Sequence, residues 1–518
     1  MKRSILSCFL SCALYLICIT EQYAQVPVSG SITRQWNPSE QNAQQKMSDT
    51  YQEPPVSAVR ASAEWEEIDA LMVTWTSYIA TVREIVRYAR EECKVYIICS
   101  DSNSVKSDLT SHDIPLFNIY YVQEPFNSVW CRDYGQWNVY THNVDSLYLI
   151  DWIYNRPRPD DDVIPSAIAE RFDLPLYQTI VPPYDLVATG GNFMCDGLGT
   201  GFSSRLIYNE NQGTGYSLEA KTEDEIDSIM HQFMGIDQYI MMETLPYDAI
   251  HHIDMHMKLL DEETLLVGEY PPGVADGPQI EENLNYILDN YTSSFGTPFK
   301  VVRIPMPPDA TDDYPDDNGD YRTYTNFVFV NKTILMPAYE EAYDTTAIRI
   351  LQEQLQGYRI VPINCNMIIK ALGAIHCITK EVAASDPLFI SHQPLSDTEN
   401  TIDDYSVAAR IMHRSGIQDA TIYWTTDTTA AWNTADMTLT DAVTDTWTGA
   451  IPAHAAGTHI YYYIHADANS GKEQVRPITA PQGYWDFRIT WPVAVNTMED
   501  IADCSCTFPQ SRKVISCI

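Results

Sequence analysis

The sequence predicts an α/β protein in which a domain of repeated strand and helix units is followed by a small all-β sandwich. Three observations lead there. The chain has 518 residues, and at about 150 residues per domain two to four folding units are expected. From Ala61 to about Ser391 apolar bursts alternate with stretches of helical period. Beyond about Asp397 the texture changes to short alternating segments separated by turns, with no helical pattern.

At the N-terminus Lys2 and Arg3 precede ILSCFLSCALYLICI, an apolar run too short to span a bilayer comfortably, and Ala24 offers a small residue before a cut. Residues 1–24 read as an export signal, so the mature protein is expected to be secreted, whether periplasmic, extracellular or on the outer surface. Residues 25–57, polar and rich in Gln, Ser and Pro, read as a flexible leader or pro-segment. Strands are expected at DALMVTW, KVYIICS, SLYLIDWIY, DLVATGGN, TLLVGEY, FKVVRI and TNFVFV, and helices at TVREIVRYAREE, TEDEIDSIMHQFMG and TTAIRILQEQLQ. These elements place an α/β domain over 58–393. TIYWTTD, DTWTGAI and THIYYYIHADAN then read as sandwich strands over 394–490. The tail, 491–518, carries no readable pattern, and no segment after the signal is apolar for long enough to be a membrane helix.

With 45% hydrophobic residues the chain is globular in composition. Its 70 acidic residues against 32 basic ones, a net charge of -38, exclude a nucleic-acid backbone as the main partner. Cationic ligands would be drawn in, although the same charge also suits solubility after export. Without the signal nine cysteines remain, at positions 93, 99, 131, 195, 365, 377, 504, 506 and 517. An odd number leaves at least one thiol unpaired or paired between molecules, and the spacings repeat neither a disulfide scaffold nor a zinc knuckle.

Four clusters could carry chemistry. In SVWCRDYGQW, Asp133 follows Arg132, an arrangement that serves a structural ion pair as readily as a site. In AIHHIDMHMK, a strand would put His252, Asp254 and His256 on one face, where a metal reading lacks further ligands. In ALGAIHCITKEVA, Cys377 sits among small and apolar residues. LVATGGNFMCDGLGTG is glycine-rich but has neither the P-loop lysine nor dinucleotide spacing. A cysteine nucleophile, a histidine for proton transfer and two aspartates together suit attack on a planar cation such as a guanidinium. The acidic loop PPDATDDYPDDNGDY, Pro307 to Tyr321, fails as a calcium loop because Tyr314 stands at the first ligand position. A last oddity is DWIYNRPRPDDD, where Arg156 and Arg158 stand two apart between prolines and ahead of three aspartates.

Asp133 in WCRD, TGGNFMCDG, His252 with Asp254 in HHIDMHMK, Asn326 in YTNF and Cys377 in GAIHCITKEVA together resemble the guanidino-group-modifying superfamily. Within it the chain is similar to the bacterial Porphyromonas-type peptidylarginine deiminases, relatives of agmatine deiminase, from about Pro54 through the sandwich. The resemblance implies a five-bladed α/β propeller (the pentein fold) followed by an immunoglobulin-like domain. It implies Cys377 as nucleophile, His252 as general acid and base, Asp133 and Asp254 as guanidinium clamps, and Asn326 as a further active-site position. It also implies that Arg156 and Arg158 bind the α-carboxylate of a C-terminal arginine and that Trp130 packs along the substrate. Ile250, with Ala249 and His251, alters a pocket wall that is aromatic in the family's peptide-binding enzyme, and His256 likewise replaces an aromatic. No cofactor or metal is implied, and the partners are arginine-containing peptides or proteins. The competing readings are a deiminase of a small guanidine such as agmatine, and a catalytically silent surface-binding protein.

Overall fold

The computed structural model describes residues 50–492. The signal, most of the leader, and the tail with Cys504, Cys506 and Cys517 lie outside the described residues.

The helices form where apolar periodicity and capping agree. Ile79–Ala89 buries Val82, Ile85, Val86 and Ala89 on one face. Glu223–Met234 starts from a capping box, with Thr222 Oγ1 accepting from the Glu225 N–H and the Glu225 side chain reaching back, and stops at Gly235 in the left-handed region. Glu341–Gln354 is the third. Three more helices, Ser102–Ser111, Ile164–Phe172 and Gly277–Asn290, lie between strands. The last buries only the stripe Ile280, Asn283, Leu284 and Ile287, too narrow to stand out in the sequence.

Five mixed sheets share one plan. In each, a short strand runs antiparallel to a central strand, and the central strand pairs in parallel with the next one. The short and central strands are Trp137–Thr141 with Leu147–Trp152, Met194–Cys195 with Thr200–Ser204, Met257–Leu259 with Thr264–Glu269, and Val328–Val330 with Thr333–Ala338. In the fifth, Lys380–Ala383 returns to pair with Ile68–Thr74 near the beginning of the region. The central strands are the most apolar, as expected for strands covered on both faces. Leu71, Met72 and Val73 have no exposed surface, and neither have Leu265, Leu266 and Val267.

This closure brings distant motifs together, because the segment entering each short strand carries one of them. Asp133 precedes Trp137–Thr141, Gly190–Asn192 precedes Met194–Cys195, and Asp254 precedes Met257–Leu259. Asn326 precedes Val328–Val330, and Cys377 precedes Lys380–Ala383.

Four expectations are corrected. His252, Asp254 and His256 do not share a strand face: the chain passes through a 3-10 turn at Ile253–Met255 and the strand begins at Met257. DLVATGGN makes a single bridge at Val187 and then a 3-10 turn at Gly190–Asn192, since its glycines supply no side chains for a sheet. The leader reading ends too late, because Thr50–Tyr51 pairs in parallel with Leu176–Thr179. The β-rich region begins before residue 394, as Phe389–Ser391 already pairs with Tyr405–Met412.

That C-terminal region is two antiparallel sheets. Alternate residues of Tyr405–Met412, Ile417–Thr425 and His459–Ala468 fill its core, among them Val407, Ile411, Ile422, Ile460, Tyr462 and Ile464. Lys472 pairs with Glu67 at 2.7 Å and Arg476 with Glu262 at 3.1 Å, tying it to the α/β region. Among the described residues no helix is long and apolar enough to cross a membrane.

Candidate active site

Cys377 lies in the 3-10 turn His376–Ile378 and is 3% exposed. Asn326 organises it. Its Oδ1 accepts from the backbone N–H groups of Ala374 at 3.1 Å and Cys377 at 3.4 Å, and its Nδ2 lies 3.2 Å from Cys377 Sγ. Gly373 is required by close approach, since a Cβ there would fall 2.5 Å from the Trp130 ring and 3.1 Å from the sulfur.

Facing the sulfur are two carboxylates and an imidazole. Asp254 Oδ2 is 3.6 Å from Cys377 Sγ, while Asp254 Oδ1 is buried and has no hydrogen-bond partner. His252 Nδ1, buried and also without a hydrogen bond, is 3.5 Å from Asp133 Oδ1, and its Nε2 meets Thr189 Oγ1 at 3.1 Å. All three groups converge on Gly191, whose N–H donates to Asp133 Oδ1 at 3.2 Å. A Cβ at that glycine would meet His252, Asp133 and Asp254 at once.

The electrostatics favour an incoming cation. Burial pushes the Cys377 thiol well above its ordinary range, and the Asp254 and Asp133 charges push it further. Burial, with Asp254 beside it, also raises Asp133, against the opposing pull of His252, Arg156 and the Gly191 N–H. Burial would raise Asp254 too, but the hydrogen bond and charge of His376 outweigh it and hold that carboxyl low. A guanidinium placed between the two carboxylates would meet their open acceptors and cancel the charges that keep the thiol protonated.

The scaffold differs from the simplest reading of WCRD. Arg132 does not pair with Asp133; it forks onto Glu381 at 3.0 and 2.7 Å, and its Nε donates to the His376 carbonyl at 3.2 Å. Arg132 thereby fixes the backbone next to Cys377. Behind Asp254, His376 Nδ1 meets Asp254 Oδ2 at 2.7 Å, its Nε2 meets Glu64 Oε1 at 2.9 Å, and Lys258 Nζ meets Glu64 Oε2 at 2.6 Å. Glu64 has no sequence signal, and Thr189, although it opens the motif TGGNFMCDG, carries no role that the sequence assigns. His376 was visible beside the cysteine but suggested no role.

In DWIYNRPRPDDD the three aspartates serve the loop. Asp161 accepts from the Asn127 and Ser128 N–H groups and the Ser128 hydroxyl, Asp160 from Asn127 Nδ2, and Asp162 from the Tyr154 N–H. The arginines are left to neutral groups. Arg158 Nη1 donates to Tyr154 Oη at 2.9 Å and approaches Ser128 Oγ at 3.3 Å, and Arg156 Nη1 donates to the Asn155 carbonyl at 3.1 Å. Among the described residues neither guanidinium is in an ion pair. Arg156 nonetheless lies close enough to Asp133 for its charge to oppose, in part, the rise that burial gives that carboxyl. Trp130 caps the turn Cys131–Tyr134, and half-buried Ile250 donates its N–H to Asp248 Oδ1 at 3.0 Å. His256 is buried with both ring nitrogens unpartnered, and the turn at Ile253–Met255 keeps it from sharing a strand face with His252 and Asp254. In the acidic loop, Asp309 accepts from the Thr311 and Asp313 N–H groups and Asp316 from that of Ala275.

A sequence model of the Porphyromonas-type peptidyl-arginine deiminases matches residues 60–382. The chain belongs to that family. It is a pentein deiminase, within the superfamily of guanidino-group-modifying enzymes. A relative from Selenomonas ruminantium named for agmatine deiminase is 22% identical over 348 residues, covering 60% of this deiminase and 90% of its own length. One from Mycoplasma capricolum, named likewise, is 23% identical over 294 residues, 51% of this chain and 77% of its own. Among solved structures, an arginine deiminase from Porphyromonas gingivalis superposes with a TM-score of 0.54 at 18% identity, covering 63% of this chain and 99% of that one. The C. jejuni agmatine deiminase gives 0.52 at 22% identity, covering 63% and 96%. At these identities the likeness shows a shared mixed α/β fold.

Proposed function

We propose that this deiminase is a secreted enzyme that hydrolyses the guanidinium of peptidyl-arginine, preferably at a peptide C-terminus, to citrulline and ammonia. The observation that carries the reading is the pair Arg156 and Arg158. They are held by neutral groups in a strongly acidic chain, and Arg156 acts electrostatically on a carboxylate of the cysteine site. A substrate with a guanidinium at one end and a carboxylate at the other satisfies both sets of charges. In this reading the five sheets are the blades of a propeller whose axis passes through the site, and the C-terminal sheets form an immunoglobulin-like domain.

In the first step Cys377 Sγ, as thiolate, bonds to the guanidinium carbon held between Asp133 and Asp254. The tetrahedral adduct expels one nitrogen as ammonia, with a proton from His252, and leaves an S-alkylthiouronium. Water deprotonated by His252 then adds to the same carbon, and breaking the C–S bond returns the thiolate and gives the ureido product. Agmatine would use the same four groups but has no carboxylate for the arginines. Agmatine would therefore forgo charge-assisted hydrogen bonds worth about 1.5 to 3 kcal/mol each.

The test is to offer the mature protein a peptide ending in Arg, a peptide with internal Arg, and agmatine, and to measure ureido product and ammonia. Turnover mainly of the first supports the proposal; N-carbamoylputrescine as the dominant product overturns it. The double variant Arg156→Ala, Arg158→Ala should lose about a hundredfold in kcat/KM on the C-terminal peptide, the scale of losing charge-assisted hydrogen bonds. Internal arginine should be little affected, and an equal loss on both peptides would remove the carboxylate assignment.

A further inference from the structure

The two oxygens of Asp254 have different surroundings. Oδ2 is filled by His376 Nδ1 at 2.7 Å, with the Cys377 sulfur at 3.6 Å, while Oδ1 is buried and open. Behind it, His376, Glu64 and Lys258 continue a line of contacts at 2.9 and 2.6 Å. All four side chains are buried. Read outward from the sulfur, the line alternates carboxylate, imidazole, carboxylate and ammonium.

We propose that His376 is a positioning residue: clamped through both ring nitrogens between Asp254 and Glu64, it fixes the Asp254 carboxylate so that Oδ1 alone is presented to the substrate guanidinium. This rests on the reading of Asp254 as a guanidinium clamp.

Three features argue for it. Asp254 and Glu64 are both held low, in each case against the effect of burial and with His376 among the causes. Each ring nitrogen of His376 lies within hydrogen-bond distance of a different carboxylate, Nδ1 of Asp254 and Nε2 of Glu64, so the ring has one orientation in which both contacts form. The backbone of His376 is pinned as well: its N–H donates to the Asn326 carbonyl at 3.1 Å and its carbonyl accepts from Arg132 Nε at 3.2 Å. Main chain and ring of one residue therefore set the nucleophile next to it and the carboxylate opposite it. A histidine serving only as packing would need neither carboxylate.

The test compares His376→Gln, His376→Asn and Glu64→Gln in the full chain. An asparagine amide can donate to Asp254 in the place of Nδ1, whereas glutamine reaches toward Glu64 and leaves Asp254 Oδ2 unfilled. His376→Gln should lower kcat/KM by about ten- to a hundredfold, the scale of a lost hydrogen bond to a charged group. It should also move the acid limb of the kcat/KM profile to higher pH, because Asp254 loses the partner that holds it low. His376→Asn should restore most of both.

A second readout needs no turnover. Cys377 is alkylated with a cationic haloacetamidine and with neutral iodoacetamide, and the ratio of rates measures the clamp. The ratio should fall in His376→Gln and, to a smaller extent, in Glu64→Gln. If His376→Gln fails to fold, as judged by thermal unfolding, the other two variants carry the comparison. An unchanged ratio and acid limb in the folded variants would overturn the assignment. Wild-type protein that shows no preference for the cationic reagent would instead refute the clamp, and with it the proposed function.

Discussion

Replacing Gly191 by alanine adds one methyl group at the point where the site's three polar side chains meet. Gly191 does not adopt a positive φ, so the backbone tolerates alanine and the effect is steric. The new Cβ would lie 2.5 Å from His252 Nδ1, 3.0 Å from Asp133 Oδ1 and 3.2 Å from Asp254 Oδ2. Ordinary contact begins near 3.4 Å, so the imidazole must retreat by about 0.9 Å and both carboxylates by a few tenths. A displacement of about 1 Å in a reacting group can cost on the order of a hundredfold in rate. Overpacking a filled site costs about 1 to 3 kcal/mol of stability. The assay is steady-state release of ureido product from the best guanidine substrate, with a thermal melt beside it. Gly191→Ala should melt a few degrees lower and lose roughly a hundredfold in kcat/KM, the scale of that displacement. A folded variant with turnover within about threefold of wild type would mean that His252, Asp133 and Asp254 do not act together on the substrate.

Asn326→Asp keeps an acceptor for the Ala374 and Cys377 N–H groups but removes the donor to the sulfur and adds a negative charge. It should fold, react more slowly with iodoacetamide at neutral pH, and lose at least about tenfold in kcat, the scale of one lost hydrogen bond. Retained thiol reactivity and turnover would show that the Nδ2 contact is idle. Burial holds His256 and His392 down to about 4. Between that value and the ordinary value near 6.5 the unfolded chain binds more protons, so their stabilising contribution is whole above about pH 6.5 and is lost as pH falls through about 4. Urea midpoints should accordingly fall between pH 7 and pH 5, and fall less in His392→Gln. A slope unchanged in that variant would place the acid sensitivity elsewhere.

Much of the site was legible because its residues sit in short motifs whose chemistry converges on one substrate class. Cys377, His252, Asp254, Asp133 and Asn326 could be gathered from the chain without coordinates, and the fold brings them to one place. What could not be read arises from contacts between segments far apart in the chain, such as the return of Lys380–Ala383 onto Ile68–Thr74. Glu64 and His376 are 312 residues apart in sequence, and nothing in SAEWEEID announces a partner for a histidine beside a cysteine. Arg132 looked like the companion of its neighbour Asp133, but Glu381 has the geometry for a fork and Asp133 does not. The strand expected through His252 and His256 failed because alternation cannot be distinguished locally from a turn that ends where a strand begins. Among the helices the sequence did not show, Ser102–Ser111 has only Val105 and Leu109 as apolar anchors and Gly277–Asn290 breaks its apolar stripe with Asn283, so local periodicity did not separate them from loops.

Thr50 and Tyr51 pair through only two residues, with Leu176 and Tyr177 of Leu176–Thr179, and the Tyr51 ring is stacked 4.7 Å from that of Tyr177. Small as it is, this cover decides how far the chain can be trimmed. A protease that cuts ahead of Thr50 leaves the outer strand of that sheet shielded. One that cuts after Tyr51 bares a row of free N–H and C=O groups, a ready template for a second copy of the same edge. The margin between a shielded edge and an open one is thus two residues wide.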